Sequence, residues 1–397
     1  MRAVSLSKRV PLVLFLLAAC GGGSGDGTPP VSDAGATSGA GGSAVVHPSS
    51  SGGTLTGSGG TTGTSKGNVD AADAPSGPSA VTLLDHVRVA GSNGGKDQHA
   101  QAPLDLGAGP FAKVSLTVDL DTTCFPPERS KDDPPPAGQN YPTKCDAYDR
   151  RFEISLDPAK AAGDAPGIEL AHAITPFGGP MHFEVDITDV VNGLPGKHTL
   201  EAYIDTWADP TGKQSGSDGG WFVSASVTAE AGPAPRDVRA VIPIYYDSQK
   251  VPDVAPMKFT LPPETSQVRI EYRSTGHTLA SGPTDPDCNG PPEEFCKRTH
   301  TISFDGKTVD EFVPYRDDCS SQCTVAMLNG RSYCMQNPFG ALASVRAPRA
   351  NWCPGTVSEP RVLQAAMSGG EHNVSWHVSN IESGGIWRTS AVVFAYK

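Results

Sequence analysis

The sequence predicts an all-β protein built of antiparallel sandwiches or jelly rolls. Short segments rich in Val, Ile, Thr, Phe and Tyr alternate between apolar and polar residues, as strands with one buried face do. Clusters of Gly, Pro, Asp and Asn separate these segments, and no window keeps a helical period of apolar residues over three turns. Many short strands at turn-marked intervals are typical of sandwiches and jelly rolls.

The predicted strands divide into two groups. In chain order they are residues 114–120, 152–156, 182–190, 199–207, 222–227, 238–246, 267–272, 372–378 and 391–396. A short helical turn is expected at residues 362–367. Asp247-Ser248-Gln249-Lys250 and Pro252 interrupt the strands, so we expect a domain boundary there, with domains at residues 80–247 and 248–397.

Residues 1–20 have the layout of a secretory signal. A basic start precedes an apolar run that is too short to span a bilayer. Leu17-Ala18-Ala19-Cys20 resembles a lipobox, in which Cys20 is acylated; cleavage at an ordinary signal site is the alternative. We expect an exported lipoprotein that is anchored to the cell envelope, and Gly21 after Cys20 favours the outer membrane.

Residues 21–79 are almost all Gly, Ser, Thr, Ala and Pro, which predicts a disordered tether behind the folded body. As a flexible coil this segment would reach roughly 40–45 Å. The whole chain carries 43 acidic and 31 basic residues, a net charge of −12. Nucleic acid and anionic lipid would be repelled by such a surface, so we expect neither as a partner; neutral sugars are compatible.

The cysteines indicate disulfide bonds. Setting Cys20 aside leaves an even number of them, which is typical of an exported chain with a disulfide framework. Local proximity favours the pairs Cys124–Cys145, Cys288–Cys296, Cys319–Cys323 and Cys334–Cys353. Zinc is the competing interpretation, but no Cys-x-x-Cys pair or Cys–His cluster has finger-like spacing. The first two pairs would close the long loops at residues 122–141 and 282–295, where binding and catalysis are common.

Asp149 is the first candidate for chemistry. It lies just beyond Cys145, between Tyr148 and Arg150, and directly before the strand that starts at Arg151. An aspartate at the mouth of a strand can serve as base, nucleophile or water-orienting group. The alternative is a surface carboxylate that is paired with Arg150 and contributes little to stability.

Two further carboxylates lie in comparable places. Glu294 lies between a proline-rich loop and Cys296, where solvated loop charge, as expected for its neighbour Glu293, is the alternative. Asp205 ends a strand-like run two residues before Trp207. An acid and an aromatic ring on one face suit a sugar-binding wall, and an outward-facing acid on an alternating strand is the alternative.

Other kinds of site have no support in the sequence. His277 and His300 are isolated, and no His-x-His or His-Glu-x-x-His spacing indicates a metal. No Gly-x-Ser-x-Gly elbow, phosphate-binding loop or dinucleotide-binding glycine pattern occurs either. Serine hydrolases, nucleotide-dependent enzymes and dehydrogenases are therefore disfavoured.

Separate motifs along the chain carry a family resemblance. They are Cys145-Asp146-Ala147-Tyr148-Asp149-Arg150, Ile174-Thr175-Pro176-Phe177, Val185-Asp186-Ile187-Thr188-Asp189, Tyr203-Ile204-Asp205-Thr206-Trp207, Gly276-His277, Cys296-Lys297-Arg298-Thr299-His300-Thr301-Ile302 and Arg349-Ala350-Asn351-Trp352-Cys353-Pro354-Gly355. In this order they resemble the peptide-N-glycosidase F family, bacterial secreted amidases that remove N-linked glycans from asparagine. The likeness runs from about residue 114 to residue 396.

The resemblance implies two antiparallel jelly-roll sandwiches packed side by side, with an active site at their interface. It implies catalytic roles for Asp149, Glu294 and Asp205. It implies substrate contacts for Arg150, Arg349, Trp207, His277 and Trp352. No cofactor or metal is required, and we expect a monomer that acts on N-glycoproteins or N-glycopeptides through their chitobiose core, with the Cys20 lipid as its only membrane contact.

The chain departs from the family pattern at two of these positions. Asp205 stands where the family has glutamate, so its carboxylate is one methylene shorter, and misplacement on this scale can cost about 10²-fold in rate. Thr275 replaces a tryptophan before the Gly-His pair. The loop at residues 122–141 is also longer than the family pattern implies.

The resemblance therefore implies an amidase that hydrolyses the bond between N-acetylglucosamine and the asparagine side chain, leaving aspartate. One alternative is a glycan-binding lipoprotein in which Asp205 has ended turnover. Another is a copper-dependent monooxygenase, since paired jelly rolls host that chemistry too, but the sequence has no His-x-His pair or His-His dipeptide to bind copper.

Overall fold

A computed structural model describes residues 79–91, 93–124, 144–206, 219–278, 286–289 and 293–397. The predicted signal with Cys20, nearly all of the predicted tether, Trp207 and most of the two long loops lie outside these residues. Within the described ranges no helix is both long enough and apolar enough to cross a membrane.

The first sandwich is formed mainly by the N-terminal half of the chain. Its elements are β1 (Ser79–Val89), β2 (His99–Asp105), β3 (Phe111–Thr122), β4 (Arg151–Leu156), β5 (Ile168–Ile174), β6 (Met181–Asp186), α1 (Thr188–Gly193), β7 (Lys197–Ile204), β8 (Trp221–Ala231) and β16 (Val357–Ser358). One sheet has the order β1-β8-β3-β6 and the other the order β16-β5-β4-β7-β2, with all pairs antiparallel. Their facing apolar residues form one core.

The second sandwich follows in sequence. Its elements are β9 (Val238–Gln249), β10 (Asp253–Leu261), β11 (Gln267–His277), β12 (His300–Phe304), β13 (Lys307–Phe312), β17 (Arg361–Ala366), β18 (Gly370–Val378) and β19 (Ile386–Tyr396). The hairpin β14 (Val325–Leu328) and β15 (Arg331–Cys334) and the short helix α2 (Leu342–Arg346) are inserted before β16. The two sheets have the orders β17-β11-β19-β9 and β10-β18-β12-β13, and a second core lies between them.

One sheet of the second sandwich also packs on the first sandwich. In β19 the even-numbered residues from 392 to 396 join the first core, whereas the odd-numbered residues from 391 to 395 join the second. Successive side chains of a strand point to opposite faces, so a strand buried on both faces has an almost continuous apolar sequence. In β11 the odd-numbered residues from 269 to 277 are instead all polar. Two of them, Arg273 and Thr275, form hydrogen bonds with β5 across the junction.

The predicted all-β fold class is confirmed, but two local predictions are wrong. Residues 362–367 do not form a helical turn, because residues 361–366 pair with β11 as an edge strand. Residues 188–190 do not continue the strand predicted at 182–190. The Asp186 carboxylate accepts a hydrogen bond from the Thr188 backbone N–H at 2.9 Å, and the chain turns there into α1.

The predicted boundary between residues 247 and 248 stays a prediction. Strand β9, which that boundary assigns to the first domain, pairs along its length with β19 in the second sandwich. Its Val241 nevertheless contributes to the first core. The strand thus contacts both sandwiches at the point where the chain passes from one to the other.

Two of the four predicted disulfides are present, Cys124–Cys145 and Cys288–Cys296. The predicted pairs Cys319–Cys323 and Cys334–Cys353 are wrong, because Cys319 is bonded to Cys353. Arg316 and Arg349 exchange two backbone hydrogen bonds, at 2.8 and 2.9 Å, which place the segments after them side by side. Sequence proximity missed this pairing since the two half-cystines are 34 residues apart. Cys323 and Cys334 are free thiols in this structure.

Candidate active site

Two carboxylates from different sandwiches meet at one arginine. Asp149 precedes β4 of the first sandwich, and Glu294 and Arg349 belong to the second. The Arg349 guanidinium donates a hydrogen bond to Glu294 Oε1 at 2.7 Å, and its other terminal nitrogen lies 3.7 Å from Asp149 Oδ2. The Arg349 side chain is 1% exposed, whereas those of Asp149 and Glu294 are 19% and 25% exposed. A buried cation thus holds two acids that solvent can still reach.

The protein favours the protonated form of Asp149 unusually strongly. Burial raises the pKa of this carboxyl to about 7; the nearby Arg349 cation opposes the shift, and the Glu294 carboxylate adds to it. An aspartate with a pKa near neutrality can exchange a proton with substrate or water at physiological pH, which is the property expected of a catalytic acid or base.

Arg150 is held by contacts with Asp146 and Tyr148. Its Nε donates to both carboxylate oxygens of the fully buried Asp146 at 3.1 Å, and its guanidinium stacks over the Tyr148 ring at 4.7 Å. Asp146 also accepts a hydrogen bond from the Thr206 hydroxyl at the end of β7. Asp146 therefore ties the Asp149 segment to the neighbouring strand. Asp146 lies inside the first motif, but its partner Thr206 is distant in sequence, so no local pattern indicates this role.

Glu294 is positioned by its neighbour Glu293. Glu293 and Arg298 are both fully buried and form an ion pair with distances of 2.9 and 3.0 Å. Glu293 also accepts a hydrogen bond from the Trp387 indole at 2.8 Å. The solvated loop charge that was the alternative for this segment is therefore wrong for Glu293. Glu293 is thus fixed in the core. Glu294, the next residue of the same short 3-10 helix, accepts a hydrogen bond from Arg349.

Arg349 is fixed on several sides. Its guanidinium lies over the rings of Trp352 at 4.3 Å and Phe295 at 4.7 Å, and it donates to the carbonyl and hydroxyl oxygens of Ser344 at 3.0 Å. Trp352 is itself 1% exposed and donates its indole N–H to the Gly276 carbonyl at 2.9 Å. In this structure Trp352 therefore supports Arg349 and offers no exposed surface to a substrate.

His277, at the end of β11, lies against the same tryptophan. The two rings are stacked with their centroids 5.5 Å apart. Burial and nearby positive charges, Arg151 first among them, lower the pKa of His277 well below its usual value, so the imidazole is neutral at neutral pH. The preceding Gly276 allows this close packing, since a Cβ there would lie 2.7 Å from the Ala350 side chain.

Asp205 lies at the same end of the first sandwich, one strand away from Asp149. Its backbone N–H donates to the Arg151 carbonyl at 3.0 Å, which places it beside the start of β4. Its carboxylate accepts hydrogen bonds from Arg151 Nε at 3.1 Å and from the Tyr203 hydroxyl at 3.2 Å. The side chain is 42% exposed. No described residue links Asp205 directly to the Arg349 cluster, and Trp207 lies outside the described residues.

Two groups of side chains have metal-ligand spacing among the described residues. In one, Asp318 lies beside Cys319 and Cys353, whose sulfurs are consumed by their disulfide. The other is the buried set of Glu153, Glu169 and His172. There Glu153 accepts two hydrogen bonds from Arg388 and one from Tyr246, at 2.7–2.8 Å. The ligand atoms of both groups are thus already engaged within the protein.

The fold and this cluster define a class: an all-β protein with an acid–arginine–acid site where two sandwiches meet. Residues 245–394 match the family model described as "Peptide-N-glycosidase F, C terminal". A search of curated protein sequences returns no match. Residues 245–394 are thus similar to the C-terminal domain of peptide-N-glycosidase F.

Solved structures show a similar fold. Peptide-N-glycosidase F of Flavobacterium meningosepticum, described as a glycosylasparaginase, superposes with a TM-score of 0.59 at 19% identity, covering 81% of this chain and 96% of that one. A structure of recombinant peptide:N-glycanase F gives 0.60 at 20% identity, with 81% and 96% covered. PNGF-II gives 0.58 at 16% identity, covering 80% of this chain. The chain spans 65% of the length of PNGF-II. The chain therefore has a peptide-N-glycosidase F-like fold.

Proposed function

We propose that this protein hydrolyses the amide bond between N-acetylglucosamine and asparagine in N-glycoproteins, releasing the glycan and leaving aspartate. The observation that carries this proposal is the pair of acids, Asp149 and Glu294, held by the buried Arg349 at the junction of the sandwiches. The family of the C-terminal domain supports the choice of substrate. Asp149 and Arg349 come from motifs on which the sequence resemblance rests, and Glu294 lies just before another, which starts at Cys296.

Amide hydrolysis needs an activated water, polarisation of the carbonyl and a proton for the leaving nitrogen. Ionised Asp149 accepts the proton of the attacking water, and its pKa of about 7 suits it both to take that proton and to return it. Glu294 orients the substrate amide. Arg349 keeps the two carboxylates at fixed positions and offsets their mutual repulsion. The leaving group is a glycosylamine, and the carboxyl product is the new aspartate side chain.

Mass spectrometry of a purified N-glycopeptide incubated with the purified protein tests the proposal. We expect release of the intact glycan and conversion of asparagine to aspartate by the wild type, and no conversion by Asp149→Asn. Lys258→Gln is a matched control, since Lys258 forms only an exposed ion pair with Glu371 on the far sheet. Equal conversion by the wild type and Asp149→Asn would refute the assigned role of Asp149.

A second candidate function is binding of N-glycans without turnover. One observation favours it: the Asp205 carboxylate accepts hydrogen bonds from Arg151 and Tyr203. The family pattern has glutamate at this position, whose side chain is one methylene longer. This candidate predicts that the glycopeptide binds but stays intact. Asp205→Glu would then restore hydrolysis if the shorter side chain is the cause.

We also propose that the protein is exported and anchored through a lipid on Cys20. The signal-like residues 1–20 and the cysteine after Leu-Ala-Ala support this proposal. Labelling of expressing bacteria with a palmitate analogue, followed by membrane fractionation, tests it. We expect a labelled, membrane-bound wild type and an unlabelled Cys20→Ala variant; equal labelling of both would contradict the proposal.

A further inference from the structure

A continuous chain of buried hydrogen bonds crosses the junction between the sandwiches and ends at His277. On β5, the Glu169 carboxylate lies 2.8 Å from His172 Nδ1. The Thr275 hydroxyl of β11 lies 2.9 Å from His172 Nε2 and 2.7 Å from His277 Nε2. His172 is 1% exposed and Thr275 is fully buried. Two imidazoles are therefore bridged by one hydroxyl group.

The direction of these hydrogen bonds follows from the donor inventory. An ionised carboxylate only accepts, so His172 Nδ1 carries the proton that faces Glu169. Burial alone would raise the pKa of Glu169, but the hydrogen bond from His172 and nearby positive charge outweigh it and lower the pKa, which keeps this carboxylate ionised. When His172 is neutral, its Nε2 has a lone pair and accepts the Thr275 proton.

Thr275 then has only lone pairs left for His277. A hydroxyl carries one proton, and Thr275 has already donated it to His172. His277 Nε2 must therefore donate its own proton to Thr275 Oγ1. Since His277 is neutral, its Nδ1 is left without a proton. Among the described residues none forms a hydrogen bond with His277 Nδ1, and the residue is 8% exposed.

We propose that Thr275 and His172 are positioning residues that hold His277 in its Nε2–H tautomer, so that Nδ1 accepts a hydrogen bond from an N–H or O–H group of the substrate. The identity of the substrate in this inference rests on the proposed function, whereas the tautomer of His277 does not. The imidazole is already oriented by its stacking on Trp352, the ring that also supports Arg349. The acceptor is thus tied through one tryptophan to the catalytic cluster.

The bridge is a property of this chain. The family pattern has tryptophan where Thr275 stands, and an indole N–H can donate to one imidazole but cannot accept from another. Thr275 is fully buried. The tautomer of His277 is thereby linked to a carboxylate on the other sandwich.

Nitrogen-15 NMR of the histidine-labelled full chain tests the proposal, because the two imidazole nitrogens have well-separated shifts with and without a proton. We expect Nε2–H for His277 in the wild type, identified by its loss in His277→Gln. In Thr275→Val, which keeps the shape but removes the hydroxyl, we expect the signal to move to Nδ1–H or to a mixture. Thr275→Ser should retain the wild-type signal.

Two controls separate this effect from general disturbance. Ser274→Ala removes a neighbouring buried hydroxyl that bonds to Thr389 at 2.8 Å and not to either imidazole, so the His277 signal should not change. The buried His300, whose Nδ1 lies 2.9 Å from the Tyr272 hydroxyl, serves as an internal reference for intact packing. A wild-type Nδ1–H tautomer, or an unchanged tautomer in Thr275→Val, overturns the proposal.

Kinetics with glycopeptide provide the second readout. Loss of one substrate hydrogen bond in Thr275→Val should lower kcat/KM roughly 3- to 10-fold, with rescue by Thr275→Ser. Equal kcat/KM for Thr275→Val and the wild type would overturn the substrate-accepting role of Nδ1. If the wild type releases no glycan, the proposed function fails, whereas the NMR result still decides the tautomer.

Discussion

Asp149 and Glu153 lie four residues apart, and the protein shifts the pKa values of their carboxyl groups in opposite directions. Burial raises the pKa of Asp149 to about 7. Burial acts on Glu153 in the same sense, but Arg388, His172 and Arg151 outweigh it and lower the pKa to about 2. The difference lies in the bonds: Arg388 makes two hydrogen bonds of 2.8 Å to Glu153, whereas Arg349 lies 3.7 Å from Asp149.

This contrast distinguishes a carboxylate whose charge is fully compensated from one whose charge is only partly compensated. Arg388 donates short hydrogen bonds to Glu153, and the Tyr246 hydroxyl donates a further one at 2.7 Å. Arg349 makes its short hydrogen bond to Glu294 instead, so Asp149 is left with a distant cation and a nearby negative charge. A carboxyl group becomes available for proton transfer when its charge is only partly compensated.

The largest expected effect is on catalysis by Asp149→Asn. The amide cannot accept a proton, so we expect the rate of glycan release to fall about 10²- to 10⁴-fold. Time courses of glycopeptide conversion measure this, and circular dichroism confirms that the variant is folded. An Asp149→Asn rate within threefold of the wild-type rate would show that the raised pKa has no catalytic use.

Glu153→Gln should instead reduce stability. It leaves the Arg388 cation, whose side chain is 15% exposed, without its charged partner, which costs about 3–5 kcal/mol of unfolding free energy. Urea denaturation measures the loss. Glu184→Gln on the exposed face of β6 is the matched control and should change stability by less than about 0.5 kcal/mol. Equal effects of the two substitutions would contradict the structural role of Glu153.

The pH dependence of stability should have opposite signs at the two sites. The raised pKa of Asp149 means that the folded state loses stability as pH rises from about 4 to about 7; Asp149→Asn should therefore stabilise the protein by roughly 2–4 kcal/mol at pH 8 but not at pH 4. The lowered pKa of Glu153 contributes stability above about pH 4 that is lost as pH falls towards 2. Thermal unfolding from pH 3 to pH 8 measures both. A Tm difference between Asp149→Asn and the wild type that does not vary with pH would contradict the first sign.

Arg349→Lys sharpens the comparison further. A lysine ammonium cannot hold the fork geometry that serves Glu294, Asp149 and Ser344 together, so the acids should move by about an ångström and kcat/KM should fall about 10²-fold. Steady-state kinetics measure this. Arg361→Lys, which alters an ion pair with Asp310 away from the site, is the control and should retain wild-type kinetics.

The smallest expected effect is that of Asp205→Asn on stability. The Asp205 carboxylate is 42% exposed, so its ion pair with Arg151 should contribute less than about 1 kcal/mol. Urea denaturation would detect a larger contribution. If Asp205→Asn lost as much unfolding free energy as Glu153→Gln, the exposure of a carboxylate would not determine how much its ion pair contributes to stability.

The sequence revealed the strands and acids that have local signals. Strand β19 was predictable because its apolar run is buried on both faces. The sequence could not reveal β17, whose residues form a strand because β11 pairs with them, or the Cys319–Cys353 bond, which depends on a bridge between distant segments. Site residues show the same limit. Asp149 lies in a local motif and Glu294 just before one, whereas the roles of Asp146 and His172 depend on partners 60 and 103 residues away.

Strand β19 has a consequence for biosynthesis. Its alternate residues complete two different cores, and it lies C-terminal to every other strand that the structure describes. Neither sandwich can therefore close fully while the ribosome still holds residues 386–396. A premature stop codon before β19 would yield a chain with two open cores, rather than one finished sandwich and one unfinished one. Completion of both sandwiches therefore depends on the same strand.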